Sequence, residues 1–475
     1  MSPRQGRAYL PLCGVHRPEG EPVARAVEAA LRAVEGVHWA EVNPILAHVA
    51  VAYEDGVVDP GELAEIVEDV EAAHGVAEGD LPPDLVSHPA DDAAIHRGLL
   101  ALAADATGMG VSVLTGLFRL PRLPVEVTNA IPALDSIPPV RRLLDARPDV
   151  ETATVLVNAL LYGIGQGPLG LLVDATHRVN LLTEMAARRR AWLAAEPELL
   201  PGPASEPIVA VEVEPRPVAL PGGPVERYGQ AASLAALAGG GLTLLATGDP
   251  RRTADMLLAG LPRAARLGRE GFAGQLGRTL AGRRILPMDP TVLRRLDRID
   301  TVLVDAAAVM TGRHELGATA AVGGVDPRAV DEAVRRLFDP GGPRRQVAGG
   351  GLVLGPAEAC GGSWPRGARA LGGRMVASGE SLLALERDGV VIGLASVRPA
   401  VLASTAELVE AARAAELSVV VAGARSGVGE VLGADRSLPG GDHTARSVRL
   451  LQREGRVVAL VSRRHGSALR AADCG

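Results

Sequence analysis

The chain contains no lysine: every one of its 49 basic residues is arginine. Lysine is normally among the commonest residues. Its absence excludes a P-loop lysine, a kinase strand lysine, Schiff-base or PLP chemistry and a Ser-Lys dyad. A GC-rich genome would produce the same Arg-for-Lys bias. Aromatics make up only 2% of 475 residues. With a net charge of −7 and scattered arginines, the sequence lacks the basic, aromatic-lined stripe of a nucleic-acid binder. Cysteine is scarce too. Cys13, Cys360 and Cys474 lie far apart with no CxxC, as in a reducing compartment. The first residues, MSPRQGRAYLPLCGVH, have no signal-peptide apolar core.

What is present changes texture along the chain. Residues 1–78 read as a small α/β module of order β-α-β-β-α, that of a ferredoxin-like unit. In VARAVEAALRAVEGV, Val23, Val27, Leu31 and Val34 share one helical face, and Val49, Val51 and Tyr53 alternate as in a strand. Residues 95–195 and 229–285 read as helical and membrane-like, separated by a Pro- and Glu-rich linker at 196–228. Leu99–Phe118 carries one charge, Asp105, while Thr152–Val173 and Gly229–Gly248 carry none. Each run is long enough to span a bilayer, though rich in Ala and Gly, which also suits buried soluble helices. If they span, Arg141-Arg142, Arg188–Arg190 and Arg251-Arg252 mark the cytoplasmic side. The Arg188–Arg190 run otherwise reads as a solvated face or membrane anchor.

From about residue 286 the pattern is soluble α/β. TVLVDAAAV, VVIGLASV, LSVVVAG and RVVALVS alternate with helical runs, predicting a doubly wound parallel sheet over 286–312 and 389–475. The Gly-rich stretch 313–388 looks inserted.

Several motifs then fall into one order. Ile299–Arg313 (IDTVLVDAAAVMTGR) resembles the segment carrying the phosphorylated aspartate of heavy-metal P-type ATPases, with Asp300, Thr301, Val302, Asp305, Thr311, Gly312 and Arg313 matching. PRAARLGREGFAGQLGRTLAGRRILPMDPTVLRRL resembles the stretch leading to that strand from the Cys-Pro-Cys helix, with Pro262 on the motif's proline. Gly393–Pro399 resembles the strand ending in Leu-Arg-Pro. SVRLLQREGRVVALVS and LRAADCG resemble the family's last cytoplasmic motif, and GVHWAEVNPILAHVAVAY half of a heavy-metal-associated domain. The resemblance is closest to the degenerate first half of long bacterial cation-transporting P-type ATPases. It implies a heavy-metal-associated module at 1–78 and a haloacid-dehalogenase-like phosphorylation domain. It also implies a nucleotide-binding-like insertion at 313–388, a cell-membrane location with cytoplasmic domains, and ATP and Mg²⁺ as the family's cofactors.

The chemistry does not follow the family. Asp305 matches the phosphorylated aspartate, but Ala306, Ala307, Ala308 and Val309 replace the polar loop after it. Ala422-Gly423-Ala424-Arg425 lacks a carboxylate, and the lysine position falls near Thr444. Val461-Ser462-Arg463-Arg464-His465-Gly466 puts arginines where Mg²⁺ ligands would stand. Leu261-Pro262-Arg263 offers no thiolate to a soft ion, so Pro262 is a relic of the transport path. Cys13 with His16 is a weak ligand pair, read as incidental, and no metal site is assigned. Thr311 and Gly423 are weak nucleotide- or phosphate-contact candidates. The turn GARSGVG (Gly423–Gly429) could cradle a phosphate but is more often a plain β–α connection. His314, His443 and His465 fall in predicted loops, surface or structural by default. No Thr-Gly-Glu actuator loop lies between 174 and 228.

The expectation is therefore a pseudo-ATPase, membrane-associated and silent by itself, a regulatory or structural partner of an intact cation-pump half or subunit. The chain ending at Ala-Asp-Cys-Gly suggests such a half or a truncated product. The alternatives are an active P-type ATPase or haloacid-dehalogenase-like hydrolase using Asp305, and a soluble protein-interaction module. No nucleic-acid partner is expected.

Overall fold

A computed structural model describes residues 5–44, 46–77, 80–81, 88–90, 92–118, 168–200, 202, 214–259, 263–343, 345–375, 380–423 and 427–475. Residues 152–167 of the second apolar run, Pro262, Ala424 and Arg425 lie outside them. Two compact units are present: Met1–Glu212 with Gly222–Asp297, and Val213–Pro221 with Arg298–Gly475.

The first unit begins with β1 (Gln5–Pro11), the helix Glu21–Arg32, β2 (Val37–Asn43), β3 (His48–Glu54) and the helix Pro60–Ala73. The strands form an antiparallel sheet of order β1-β3-β2, with Val51 opposite both Ala8 and Ala40. The central position of β3 explains its apolar content: Val49 and Val51 are fully buried. Val23, Val27 and Leu31, one helical face in the sequence, are buried against that sheet. Asp59 caps the second helix, accepting from the Gly61 amide at 3.0 Å.

The helical part packs in pairs. Asp92–Leu117 lies on Pro168–Leu199, which also lies on Arg263–Gly282; Pro224–Thr247 lies on Pro250–Ala259. Small residues permit close approach: a Cβ at Gly274 would meet Asn180, and one at Gly277 would meet Glu184. Asp105, the one charge of its apolar run, is buried and takes Arg178 Nε at 2.7 Å. Arg294 is clamped by Glu184 at 2.8 Å and Glu270 at 2.7 Å. Arg188 is neither a solvated face nor an anchor. It is buried and donates to the carbonyls of Pro287 and Met288, because a guanidinium inside a helix bundle must find acceptors. Among the described residues, two helices, Ala94–Leu117 and Pro224–Thr247, are long and apolar enough to cross a membrane. Leu234, Leu237, Leu242 and Leu245 of the latter are exposed.

The second unit contains β4 (Thr301–Asp305), β5 (Met310–Ala321), β6 (Val347–Gly349), β7 (Leu352–Pro356), β8 (Ser381–Arg387), β9 (Val390–Val401), β10 (Ser418–Ala422), β11 (Arg436–Leu438) and β12 (Val458–Val461). β11-β10-β4-β12 form a parallel sheet. Its two faces are covered separately: Val302, Val304, Val419 and Val421 pack toward the helix Ala403–Ala414, and Leu303, Val420 and Leu460 toward the helix Thr444–Arg453. The unit is thus mixed α/β around a parallel sheet.

Between β4 and β10 runs an antiparallel sheet of order β5-β9-β8-β7-β6. This corrects the assignment of VVIGLASV, which forms β9, an inner strand of this antiparallel sheet, instead of a parallel strand. The sheet therefore spans Met310 to Val401, wider than the inserted stretch 313–388. The run is apolar on both faces because both are covered. Ile392, Ala395 and Val397 face the helix Pro327–Leu337, while Val391 and Leu394 pack with Ala368 and Trp364. A strand buried on two sides reads in sequence like a parallel one.

Candidate functional site at Asp305

Asp305 ends β4 at the carboxyl edge of the parallel sheet, where α/β ligand sites usually form. It is 2% exposed. Oδ1 accepts the Ala307 amide at 3.1 Å, so the carboxylate caps the short helix Ala306–Val309. Oδ2 accepts the Ser462 hydroxyl at 2.7 Å, and His465 Nε2 stands 3.6 Å from the same oxygen. Both partners follow β12, whose Val461 pairs with Val304, so parallel registry delivers them to Asp305. Both carboxylate oxygens are occupied by this chain's own donors. With three alanines in the polar loop's place, nothing there competes for the helical turn.

The other candidates do not join this cluster. Thr311 is exposed; its hydroxyl donates to the Ala400 carbonyl at 3.0 Å and accepts the Arg313 amide at 3.2 Å, pinning β5 near β9. Gly423, at φ 137°, donates its amide to the Leu438 carbonyl at 2.8 Å. A Cβ at neighbouring Gly440 would lie 2.8 Å from the Gly423 nitrogen, so the backbone is already packed there. Thr444 is fully buried and donates to the Gly441 carbonyl at 2.7 Å, a turn-closing role. Of the three histidines, His465 approaches Asp305, while His314 lies on β5 opposite Pro399, inside a strand and not a loop. His443 closes a short 3-10 turn, Gly441–His443. Pro262 falls outside the described residues. Sequence reasoning named Ser462 only within the Val461–Gly466 loop and gave it no part at Asp305; it sits one residue past β12, which pairs with β4.

A divalent cation does not fit these residues. Among the described residues no three His, Cys, Asp or Glu side chains come together to hold a metal. Asp305 faces Ser462 and His465, with Arg463 and Arg464 between them in the chain, a donor set with one carboxylate where a hard cation needs several oxygens. Cys13 makes its own structural contact, its amide donating to Glu71 Oε1 at 2.6 Å.

No family model matches the chain. A probable cation-transporting ATPase I of Mycobacterium tuberculosis is 31% identical over 359 residues, 66% of this chain and 22% of that protein. The chain is a relative of the cation-transporting P-type ATPases. The Mycobacterium leprae protein of the same name is 28% identical over 339 residues, 62% of this chain and 21% of that one. The chain thus spans about a fifth of the length of the curated relatives it matches. Among solved structures, a zinc-transporting PIB-type ATPase in its E2.Pi state aligns with 79% of this chain and 85% of that one, at 14% identity and a TM-score of 0.37. A catalytic CPx-ATPase domain, CopB-B, aligns with 39% and 80%, at 12% identity and a TM-score of 0.19. In this P-type ATPase relative, Asp305 is a buried helix cap.

Proposed function

We propose that this chain is a catalytically silent P-type-ATPase-like element, a regulatory or structural part of a cation transporter in the cell membrane. The observation that carries the reading is Asp305: buried, both oxygens occupied, with Ala306 to Ala308 next in line. A phosphoryl acceptor must reach an incoming phosphate and have its charge neutralised there. This carboxylate instead spends its lone pairs on Ala307 and Ser462, and its surroundings do not suit Mg²⁺.

The N-terminal β-α-β-β-α module is read as a degenerate, ferredoxin-like heavy-metal-associated domain. The parallel sheet is read as a haloacid-dehalogenase-like phosphorylation domain, and the antiparallel sheet between β4 and β10 as a nucleotide-domain-like insertion. Thr311, Gly423 and Pro262 are relics on this reading. The helices Ala94–Leu117 and Pro224–Thr247 supply membrane association, with the α/β modules cytoplasmic. The partner is an intact P-type ATPase half or subunit, and ATP and Mg²⁺ are cofactors of that partner.

The test is phosphoenzyme formation. Full-length protein is incubated with γ-phosphate-labelled ATP and Mg²⁺, then quenched in acid. No label above that of Asp305→Asn is expected. Stable label that disappears in Asp305→Asn overturns the proposal.

A further inference from the structure

We propose that residues 214–221 form a strap that grips the β12 edge of the parallel sheet and holds that edge closed. In sequence this stretch lies between the helices Pro168–Leu199 and Pro224–Thr247. In the structure it belongs to the C-terminal unit. That placement is built from matched groups. Arg216 Nε meets Asp473 Oδ1 at 2.8 Å, with side chains 16% and 6% exposed. Arg216 Nη2 donates to the Arg456 carbonyl at 2.9 Å, and Nη1 donates to Val218 within the strap itself. All three guanidinium nitrogens therefore have acceptors. From the other side, buried Arg449 donates to the Glu214 carbonyl, and Arg453 stands 3.7 Å from the Glu214 carboxylate.

A disordered linker resting on a surface would not match a largely buried charge with a buried partner, because desolvating an unpaired ion is too costly. Here removing either partner leaves the other's largely buried charge without its counter-charge. The grip also reaches the Asp305 edge. Asp473 Oδ2 accepts the Val458 amide at 2.9 Å, so one carboxylate holds both the strap and the first residue of β12. Leu460 donates to the Cys474 carbonyl at 2.8 Å, making the terminal residues a cover for that edge. Directly after β12 come Ser462 and His465, the neighbours of Asp305. The strap is thus a restraint on the β12 edge, and it stands whether or not Asp305 is silent.

The experiment uses the full chain in detergent, with hydrogen exchange and limited elastase digestion. In Arg216→Ala, the amides of Val458, Leu460 and Cys474 should exchange about tenfold faster or more, with β8 and β9 unchanged, since local opening is read by its own protected amides. Arg436→Ala, which breaks only the exposed pair with Glu454, should leave them as in wild type. In Asp473→Asn, elastase cleavage in the strap after Val218 or Ala219 should accelerate by a similar factor. Exchange in Arg216→Ala within twofold of wild type overturns the proposal, as does unchanged elastase cleavage of the strap in Asp473→Asn. Equal acceleration of β8 and β9 overturns it too, by making Arg216 a general stabiliser.

Discussion

The Ser462 hydroxyl donates to Asp305 Oδ2 at 2.7 Å across 157 residues of sequence. That bond, with the Ala307 amide on the other oxygen, makes Asp305 a structural joint between β4 and the segment after β12. Asp305→Ala should therefore destabilise the chain. The cap and the buried hydroxyl both lose an acceptor, at about 1–3 kcal/mol. Ser462→Ala should cost less, about 1 kcal/mol, because the Ala307 amide keeps its partner. Denaturant midpoints of both variants check the ranking. A silent phosphorylation site predicts stability loss without any loss of phosphoenzyme.

The antiparallel sheet offers a sharper packing test. A Cβ at Gly393 would run into Val330 Cγ1 of the helix Pro327–Leu337. Val330 is 1% exposed and its short side chain cannot swing away. Gly393→Ala should cost about 1–3 kcal/mol by overpacking. Adding Val330→Ala should recover part of that loss, so the double variant should fall short of the sum of the single ones. Chemical unfolding of the four proteins measures the coupling. Strict additivity would contradict the close approach.

His88 gives the N-terminal module a pH dependence. Its ring stacks on Tyr9 at 3.9 Å, meets the edge of Trp192 at 4.7 Å and lies 5.8 Å from His48. Burial, then the positive fields of His48 and Arg188, holds it down to about 3 from an ordinary 6.5. The unfolded chain thus takes up the proton first as pH falls. The contribution is complete above pH 6.5 and declines from there toward pH 3, by about 2 kcal/mol at pH 5. Unfolding wild type and His88→Gln between pH 7 and 5 should show a steeper loss in wild type. Parallel pH profiles would refute it.

Much of this was legible in the sequence, and the failures have physical causes. Val23, Val27 and Leu31 declared a helical face because one side of that helix is covered. Asp305 stood out because it ends an apolar run inside the stretch that resembles the family's motif. VVIGLASV misled because β9 is covered on both faces, which erases the alternation that separates an antiparallel strand from a parallel one. Arg188 looked like part of a solvated charge run, but its acceptors are carbonyls at Pro287 and Met288, which no side-chain pattern encodes. Arg216 sat in a Pro- and Glu-rich stretch that composition reads as linker. Its partner Asp473 is 257 residues away, beyond any local pattern.

Membrane association makes the last prediction. The helix Pro224–Thr247 has no charged residue after Arg227, and its exposed leucines include Leu237 and Leu245, the latter 87% exposed. One face is taken: Gly239 meets Met256 and Gly240 meets Leu257. Leucines left uncovered to that degree cost free energy in water and none in lipid. Full-length protein should stay in the membrane fraction after alkaline carbonate. Leu237 sits mid-helix, so Leu237→Arg places a charge near the bilayer centre at about 2.5–3.5 kcal/mol and should shift protein toward the soluble fraction. Val218→Arg, on the strap, should not. If wild type is released by carbonate, the leucine face belongs to a protein contact and the helix does not span.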